Sequence, residues 1–424
     1  MTESILELNS RLDARARVRG VARLARGLVR GRLGALRDGA LTLVDGGEVE
    51  HFGDPDSSLR ATLFVRDPRF YRALALRGAI GGAESYMDGD WRCDDLPAAI
   101  RILARNREAF SRLNGGLARW VRPSLAVFHA LRRNTRDGSR RNIAAHYDLG
   151  DAFFELFLDP TLTYSSGVFE REDASMEQAS IAKFERVCRK LRLRPEDHVL
   201  EIGSGWGSFA MHAAAHYGCR VTTTTISRRQ FERARQRIAM AGLSDRVEIL
   251  CEDYRDLRGQ YDKLVSIEMI EAVGHQHLNR FFEVCSRCLR PDGAMLLQAI
   301  TIPERDYEEH KRSVDFIKRY IFPGGELVSV GALSAAAAAA DGLRITHLED
   351  LAPHYAETLR RWRARMFENL SRMRALGLSE PFLRMWEFYL CYCEGGFEER
   401  EIGVVQAVFE KPRARRASLL GRLA

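Results

Sequence analysis

The chain has 424 residues, 46% of them hydrophobic and 29% charged, with a formal net charge of +7. That length supports two domains and a large core, and the balance excludes a disordered or fibrous protein. No apolar run is long enough for a transmembrane helix, no apolar signal core opens the chain, and the eight cysteines lack a regular framework, so reduced thiols and a cytoplasmic setting are expected.

Residues 1–37 read as helical. Within 11–37 nine arginines stand against the single acid Asp13, and Val18, Val21, Leu24, Leu28 and Val29 interleave with them. Arginine beside aliphatic stripes suits a helix lying on an anionic bilayer. Nucleic acid is the rival partner for such a surface, and a solvated arginine-rich face is the plain alternative. Leu41–Val44, His51–Phe52 and Leu59–Val65 read as short strands, with a turn at Asp45-Gly46-Gly47. Residues 95–133 return to helical spacing, and 101–141 carry eleven arginines against Glu108 and Asp137. We read 1–140 as a small α+β domain with basic helices and 141–424 as a second domain.

From residue 198 strands and helices alternate. His198–Ile202 is the first strand. Arg220–Ile226, Val247–Cys251, Lys263–Ile267, Ala294–Ile302, Leu343–Leu348 and Gly403–Glu410 follow, and Ser227 caps the helix after the second. This pattern predicts an α/β fold, a doubly wound sheet with its ligand at the carboxyl ends of the strands. Residues 303–330 are too long for a plain connection and read as a lid or substrate-side insertion. Cys285-x-x-Cys288 and Cys391-x-Cys393 lack the second half of a zinc site and read as structural cysteines, so no metal is expected.

The first strand runs into Glu201-Ile202-Gly203-Ser204-Gly205-Trp206-Gly207. Glycines there let the backbone bend tightly and lie against a ligand. The third glycine comes one position too early for the dinucleotide fingerprint. The second strand ends in threonines and Ser227 rather than the acid a bound NAD ribose would require. An E-x-G-x-G-x-G loop opening a βα unit marks a site for S-adenosylmethionine (SAM). Glu252-Asp253-Tyr254, after the third strand, puts a carboxylate and a ring where an adenine would lie.

Further runs carry a resemblance across nearly the whole chain beyond the first ~40 residues. They are Glu84-Ser85-Tyr86-Met87-Asp88-Gly89, His146-Tyr147-Asp148-Leu149-Gly150, Asp159-Pro160-Thr161-Leu162-Thr163-Tyr164-Ser165, Asp253-Tyr254-Arg255-Asp256, Glu271-Ala272-Val273-Gly274 and Tyr320-Ile321-Phe322-Pro323-Gly324-Gly325. With the glycine loop they resemble the cyclopropane-fatty-acyl-phospholipid synthases, the mycolic acid cyclopropane synthases and related fatty-acid methyltransferases. The resemblance implies a class I SAM methyltransferase domain, Rossmann-like, behind a smaller N-terminal domain.

It also implies residue roles. Tyr164 and Ser165 would lie beside the SAM methionine, with Gly203, Gly205 and Trp206 in the loop. Thr224, Ile226 and Gln230 would hold the ribose and adenine side, and Asp253 with Tyr254 the adenine edge. A bound bicarbonate would act as base, held at positions 166, 271, 298 and 355 and by the backbone of Ile300. The sequence departs from the family there: Ser166 replaces a usual cysteine, Gln298 a usual histidine, and Ala272 another histidine, while Glu271 and Tyr355 are retained. Glutamine cannot exchange a proton near neutral pH as histidine can.

The expected activity is SAM-dependent C1 transfer to the double bond of acyl chains in membrane phospholipids, forming a cyclopropane. The alternative product is a methylene or methyl-branched lipid. A small-molecule methyltransferase and an inactive SAM-binding relative stand behind these. Tyr164, Phe169, Tyr320, Phe322 and Tyr355 are aromatic candidates for stabilising a carbocation, with Glu271 as the nearby carboxylate. The expected partner is an unsaturated phospholipid in an anionic membrane, met peripherally at its inner face. A homodimer is implied by the resemblance alone. Nucleic acid is not expected as substrate, because Glu268-Met269-Ile270-Glu271 stands where a base methyltransferase carries an N/D-P-P-Y/F loop.

Overall fold

The computed structural model describes residues 22–109, 138, 150–340, 342–416 and 419. Two compact units divide the chain: 1–127 with 378–399, and 128–377 with 400–424. The sequence reading assigned 378–399 to the second domain. The Glu380–Glu398 helix instead packs on helices Arg69–Met87 and Leu96–Arg105 of the first unit. Gly395 makes that approach close, since a Cβ there would stand 2.7 Å from Ile100 Cγ2. Arg101 and Arg105 both donate to Glu399 at its end. Strand and helix periodicity cannot report such a return of the chain.

In the first unit four strands, β1 (Ala40–Asp45), β2 (Glu48–Gly53), β3 (Arg60–Val65) and β4 (Trp91–Cys93), lie in the order β2-β1-β3-β4. β1 and β2 form a hairpin through Gly46 and Gly47, whose φ values of 58° and 91° need glycine. Residues 22–33 are helical and bury Ala25, Val29 and Leu33 at i, i+4 spacing. Val29, read from sequence as part of the outward stripe, is core. Val18 and Val21 lie outside the described residues, as does most of the second basic stretch.

The second unit is built on seven strands: β5 (His198–Ile202), β6 (Arg220–Thr224), β7 (Val247–Leu250), β8 (Tyr261–Ile267), β9 (Leu289–Thr301), β10 (Arg344–Asp350) and β11 (Gly403–Glu410). Their order is β10-β11-β9-β8-β5-β6-β7, and only β11 runs against the rest. Alternate residues feed two cores, one on each face. Leu200, Leu297 and Ala407 enter one, and Val199, Leu296 and Val408 the other. All seven strands expected from sequence form, in a Rossmann-like doubly wound sheet. The order reverses between β5 and β8, so their carboxyl ends open a crevice. The 303–330 segment forms a helix, Glu304–Arg312, and a π-helical turn, Ile317–Ile321, closed by a bridge between Thr301 and Val328.

Candidate active site

The glycine loop sits at the end of β5 with φ of 99°, 50° and 84° at Gly203, Gly205 and Gly207. The amides of Gly203 and Ser204 donate to Thr224 O at 3.0 and 2.9 Å, which ties the loop to β6. A Cβ on Gly205 would meet nothing within 4 Å, whereas one on Gly203 would stand 3.0 Å from Met269. The loop therefore turns bare backbone toward open space, as a cofactor approaching the main chain requires. These residues fit SAM.

Around it, Trp206 donates through Nε1 to Asp151 and packs on Phe154. Thr224 Oγ1 donates to Glu252 O at 2.7 Å, and Gln230 accepts from Thr225 Oγ1 at 2.9 Å, so both are fixed at the mouth of β6. Ile226 is half-buried beside them. Asp253 differs from expectation: Arg255 grips its carboxylate through Nε at 2.8 Å and Nη2 at 3.0 Å. An adenine edge there would share that carboxylate with a cation. Tyr254 is half-buried with its ring against Phe281.

Ser165 is met by Lys183, wholly buried on the Met176–Leu191 helix, whose Nζ donates to Ser165 Oγ at 2.6 Å. Burial brings its ammonium down to about 8, opposed by the charges of Glu268, Asp159 and Glu201. Glu201, which accepts from Thr223 Oγ1 at 2.5 Å, is pushed up to about 8, again by burial. The sequence reading missed Lys183. Its signal was a lysine on the same helical stripe as Ser180, Val187 and Leu191, where apolar residues belong.

The centre of the site is a residue that sequence reasoning passed over. Glu268 follows β8 with φ of 48°, unusual for a side-chain-bearing residue. Its Oε1 accepts from the Ser166 amide at 3.0 Å and from Gln298 Nε2 at 2.6 Å. Its Oε2 accepts from the Tyr355 hydroxyl at 2.7 Å. Ser166 acts through its backbone, while its hydroxyl donates to Gly167 O. The remaining donor assigned to bicarbonate, the Ile300 amide, gives its hydrogen bond to Glu271 Oε1 at 2.6 Å. The bicarbonate expectation is therefore corrected. Donors from positions 166, 298, 355 and 300 are all satisfied by two carboxylates of the chain itself, and the residues present do not fit a separate anion.

The two carboxylates are unequal. Burial pushes Glu268 up, while Tyr355, Lys183, Gln298 and Ser166 each pull it back. Burial and then the charge of Glu268 push Glu271 up to about 8, against the backbone amides of Ile300 and of Glu271 itself. Glu271 Oε2 is buried without a hydrogen-bond partner. Two acids in environments this different divide their protons unequally: four groups favour the charged form of Glu268, so it is the better placed of the two to carry the negative charge, and Glu271 the better placed to keep a proton. The insertion steadies this loop, since Glu326 donates its amide to Glu271 O and accepts from the His275 amide at 2.7 Å.

Aromatic rings wall the same region. Tyr164 packs 5.3 Å from Trp362 and 5.4 Å from Phe154, with Phe322 at 6.3 Å, and Tyr355 lies edge-on to Trp362. Two other candidates have different neighbours. Phe169 packs with His354 beneath Arg361, and Tyr320 with Phe316.

Comparison with known proteins agrees with this geometry. The family model described as mycolic acid cyclopropane synthetase matches residues 134–407. The tuberculostearic acid methyltransferase UfaA1 of Mycobacterium tuberculosis is 40% identical over 354 residues, covering 81% of this chain and 82% of that one. The cyclopropane-fatty-acyl-phospholipid synthase of Escherichia coli is 34% identical over 359 residues, covering 84% and 89%. The crystal structure of mycolic acid cyclopropane synthase CmaA1, complexed with SAH and CTAB, superposes with a TM-score of 0.60 at 36% identity, over 64% of this chain and 98% of that one. The glycine loop, the sheet order and these matches agree, and the chain belongs to the mycolic acid cyclopropane synthetase family as a SAM-dependent methyltransferase.

Proposed function

We propose that the chain transfers a methyl group to an isolated double bond in the acyl chain of a membrane phospholipid. On this reading the Glu268 carboxylate takes up the proton that the product must lose, and the product is a methylene-bearing chain rather than a ring. The observation that carries the reading is the convergence of Ser166, Gln298 and Tyr355 on Glu268.

When bound, SAM supplies an electrophilic sulfonium methyl. The alkene is a weak neutral nucleophile, so the protein's part is to hold it in line in a dry site and to shelter the charge that follows. Once the π pair has formed the new carbon–carbon bond, positive charge rests on the adjacent chain carbon. The faces of Tyr164 and Trp362 suit that charge, and Glu268 offsets it. One proton must then leave. Loss from the new methyl with closure onto the cation gives a cyclopropane. If a hydrogen first moves with its electron pair from the methyl-bearing carbon to the cation, loss of the methyl proton gives a methylene branch (C=CH2) on the open chain, which a later reduction would convert to a methyl branch. A small exchangeable anion can seat itself against the new methyl. Both courses give up a proton of the new methyl, so Glu268, pinned by three donors and a left-handed backbone, can serve as base in either, and the second is the one we propose. The name of the 40% identical relative, a tuberculostearic acid methyltransferase, is in keeping with it.

A peripheral position on an anionic membrane belongs to the same proposal. Residues 22–33 turn Leu24 and Leu28 outward, 76% and 44% exposed, on a helix that also carries Arg23 and Arg32. Arg26 and Arg30 of that helix are engaged by Asp45, Glu48 and Glu50. No helix among the described residues is long and apolar enough to cross a membrane.

The test is incubation with SAM and anionic vesicles of monounsaturated phospholipid, followed by mass and NMR analysis of the released acyl chains. A gain of one CH2 unit with an alkene signal retained is the expected result, with the protein sedimenting with the vesicles in a salt-dependent way. The same gain with olefinic signals replaced by ring protons would overturn the product assignment in favour of cyclopropane formation.

A further inference from the structure

Glu268 lies at one end of a hydrogen-bonded chain that crosses the sheet. Gln298 on β9 and Gln406 on β11 stand directly opposite each other in the strand register, and both are wholly buried. Gln406 Nε2 donates to Gln298 Oε1 at 2.9 Å, and Gln298 Nε2 donates to Glu268 Oε1 at 2.6 Å. At the far end Lys190 Nζ donates to Gln406 Oε1 at 2.7 Å and to Glu349 Oε2 at 2.5 Å. Arg186 Nε also donates to Glu349, at 2.8 Å. Lys190 is 7% exposed, on the same helix as Lys183 and one heptad beyond it.

The direction of this chain is chemically enforced. An ammonium has donors and no acceptor, so Gln406 must turn its carbonyl toward Lys190. Its amide NH2 then faces Gln298, which must answer with a carbonyl and turn its own NH2 toward Glu268. A glutamine pair without the ammonium is symmetric: both amides can rotate together, so that a carbonyl meets Glu268 and is satisfied by a protonated carboxyl. We propose that Lys190 is a positioning residue which, through Gln406 and Gln298, fixes the last link as a donor and so holds Glu268 as the carboxylate that receives the substrate's proton. This rests on the reading of Glu268 as the base.

Other charged groups act at both ends and stay in place when Lys190 is changed. Glu268 also faces Lys183 from the Met176–Leu191 helix, Tyr355 from the Ala352–Glu368 helix and Glu271 from its own loop. Lys190 faces Glu349 on β10 and Arg186 on its own helix, and its charge also reaches His347 on β10. Glu349, held down to about 2 by Arg186 and then Lys190 against the upward push of burial, remains an anion through the working range.

The experiment compares the pH dependence of kcat for the parent, Lys190→Met, Lys190→Arg and Gln406→Leu, with thermal melting and SAM binding measured alongside. The acidic limb reports deprotonation of the base in the bound complex. Lys190→Met should move that limb up by about one pH unit, so that the rate lost near neutrality returns at alkaline pH. Lys190→Arg should restore the parent limb. Gln406→Leu cuts the chain while leaving the Lys190–Glu349 pair intact, and should give the same upward move, which keeps the test open if Lys190→Met fails to fold. A uniform loss of rate with an unmoved limb in folded variants would make the chain a structural bridge and overturn the proposal. Glu268→Gln separates the two readings. If it abolishes turnover while the limb is unmoved in the others, only the positioning role fails. If it retains full turnover, the base assignment fails and the positioning role with it.

Discussion

Replacing Glu268 by glutamine changes one oxygen for an NH2 group and little else in shape. Oε1 would keep its two donors, the Ser166 amide and Gln298 Nε2. The new NH2 would confront the Tyr355 hydroxyl, now 2.7 Å from Oε2, which would have to turn and accept. That rearrangement costs about 1 kcal/mol, the net worth of one hydrogen bond, and removal of a buried charge offsets part of it. The melting temperature should therefore move by only a few degrees. Chemistry should suffer far more. Loss of a positioned general base lowers rates by roughly 10²–10⁴-fold, about 3–5 kcal/mol of barrier. The assay is single-turnover transfer of labelled methyl from SAM to monounsaturated phospholipid vesicles, with melting followed in parallel. Glu268→Gly supplies the complementary arm. Glycine accepts the φ of 48° without strain, and the substitution frees the three donors for a small anion. Added bicarbonate or formate should then restore turnover saturably. A Glu268→Gln enzyme within threefold of the parent rate would refute the reasoning, because three convergent donors would then be serving the fold alone.

Glu271→Gln tests the division of protons. The folded protein holds Glu271 up at about 8, so its contribution to stability is present at low pH and is lost as pH rises toward and through that value. The neutral variant escapes that loss: its melting temperature relative to the parent should rise between pH 5.5 and 8.5, by the equivalent of on the order of 3 kcal/mol. An unchanged difference across that range would mean that Glu271 is not protonated in the folded state. Gly205→Ala tests the loop. A methyl group there meets no protein atom within 4 Å, but it points into the space assigned to SAM and sits at φ 50°. Calorimetry should show SAM affinity reduced at least tenfold with stability lowered by only about 1 kcal/mol, the cost of leaving glycine at a left-handed position. Undiminished affinity would place the cofactor elsewhere.

Much of this molecule is legible from local pattern. Strand periodicity locates β5 to β11 because each is a short β-branched or apolar run whose own residues decide its conformation. The E-x-G-x-G-x-G run locates the cofactor loop because a tight backbone turn has to be written in consecutive glycines. Side-chain spacing carries a signal for Lys183 as well, a charge on a stripe of buried positions, which the sequence reading does not use. The return of 378–399 to the first unit leaves no such mark, since an amphipathic helix does not record which partner covers it.

The centre of the site belongs to the same class. Glu268 draws donors from residues 102, 30 and 87 positions away, and Gln298 is aligned by Gln406, 108 positions further on. Read along the chain, Ser166 and Gln298 are departures from the usual residues for an anion site, and Glu268 is an unremarked acid after a strand. The sequence by itself therefore determines the sheet, the glycine loop and the family. Only the tertiary structure decides that the anion those donors hold is the protein's own carboxylate. The physical reason is that backbone conformation is set by neighbours in sequence, while the protonation state of a buried acid is set by whichever groups the fold packs around it.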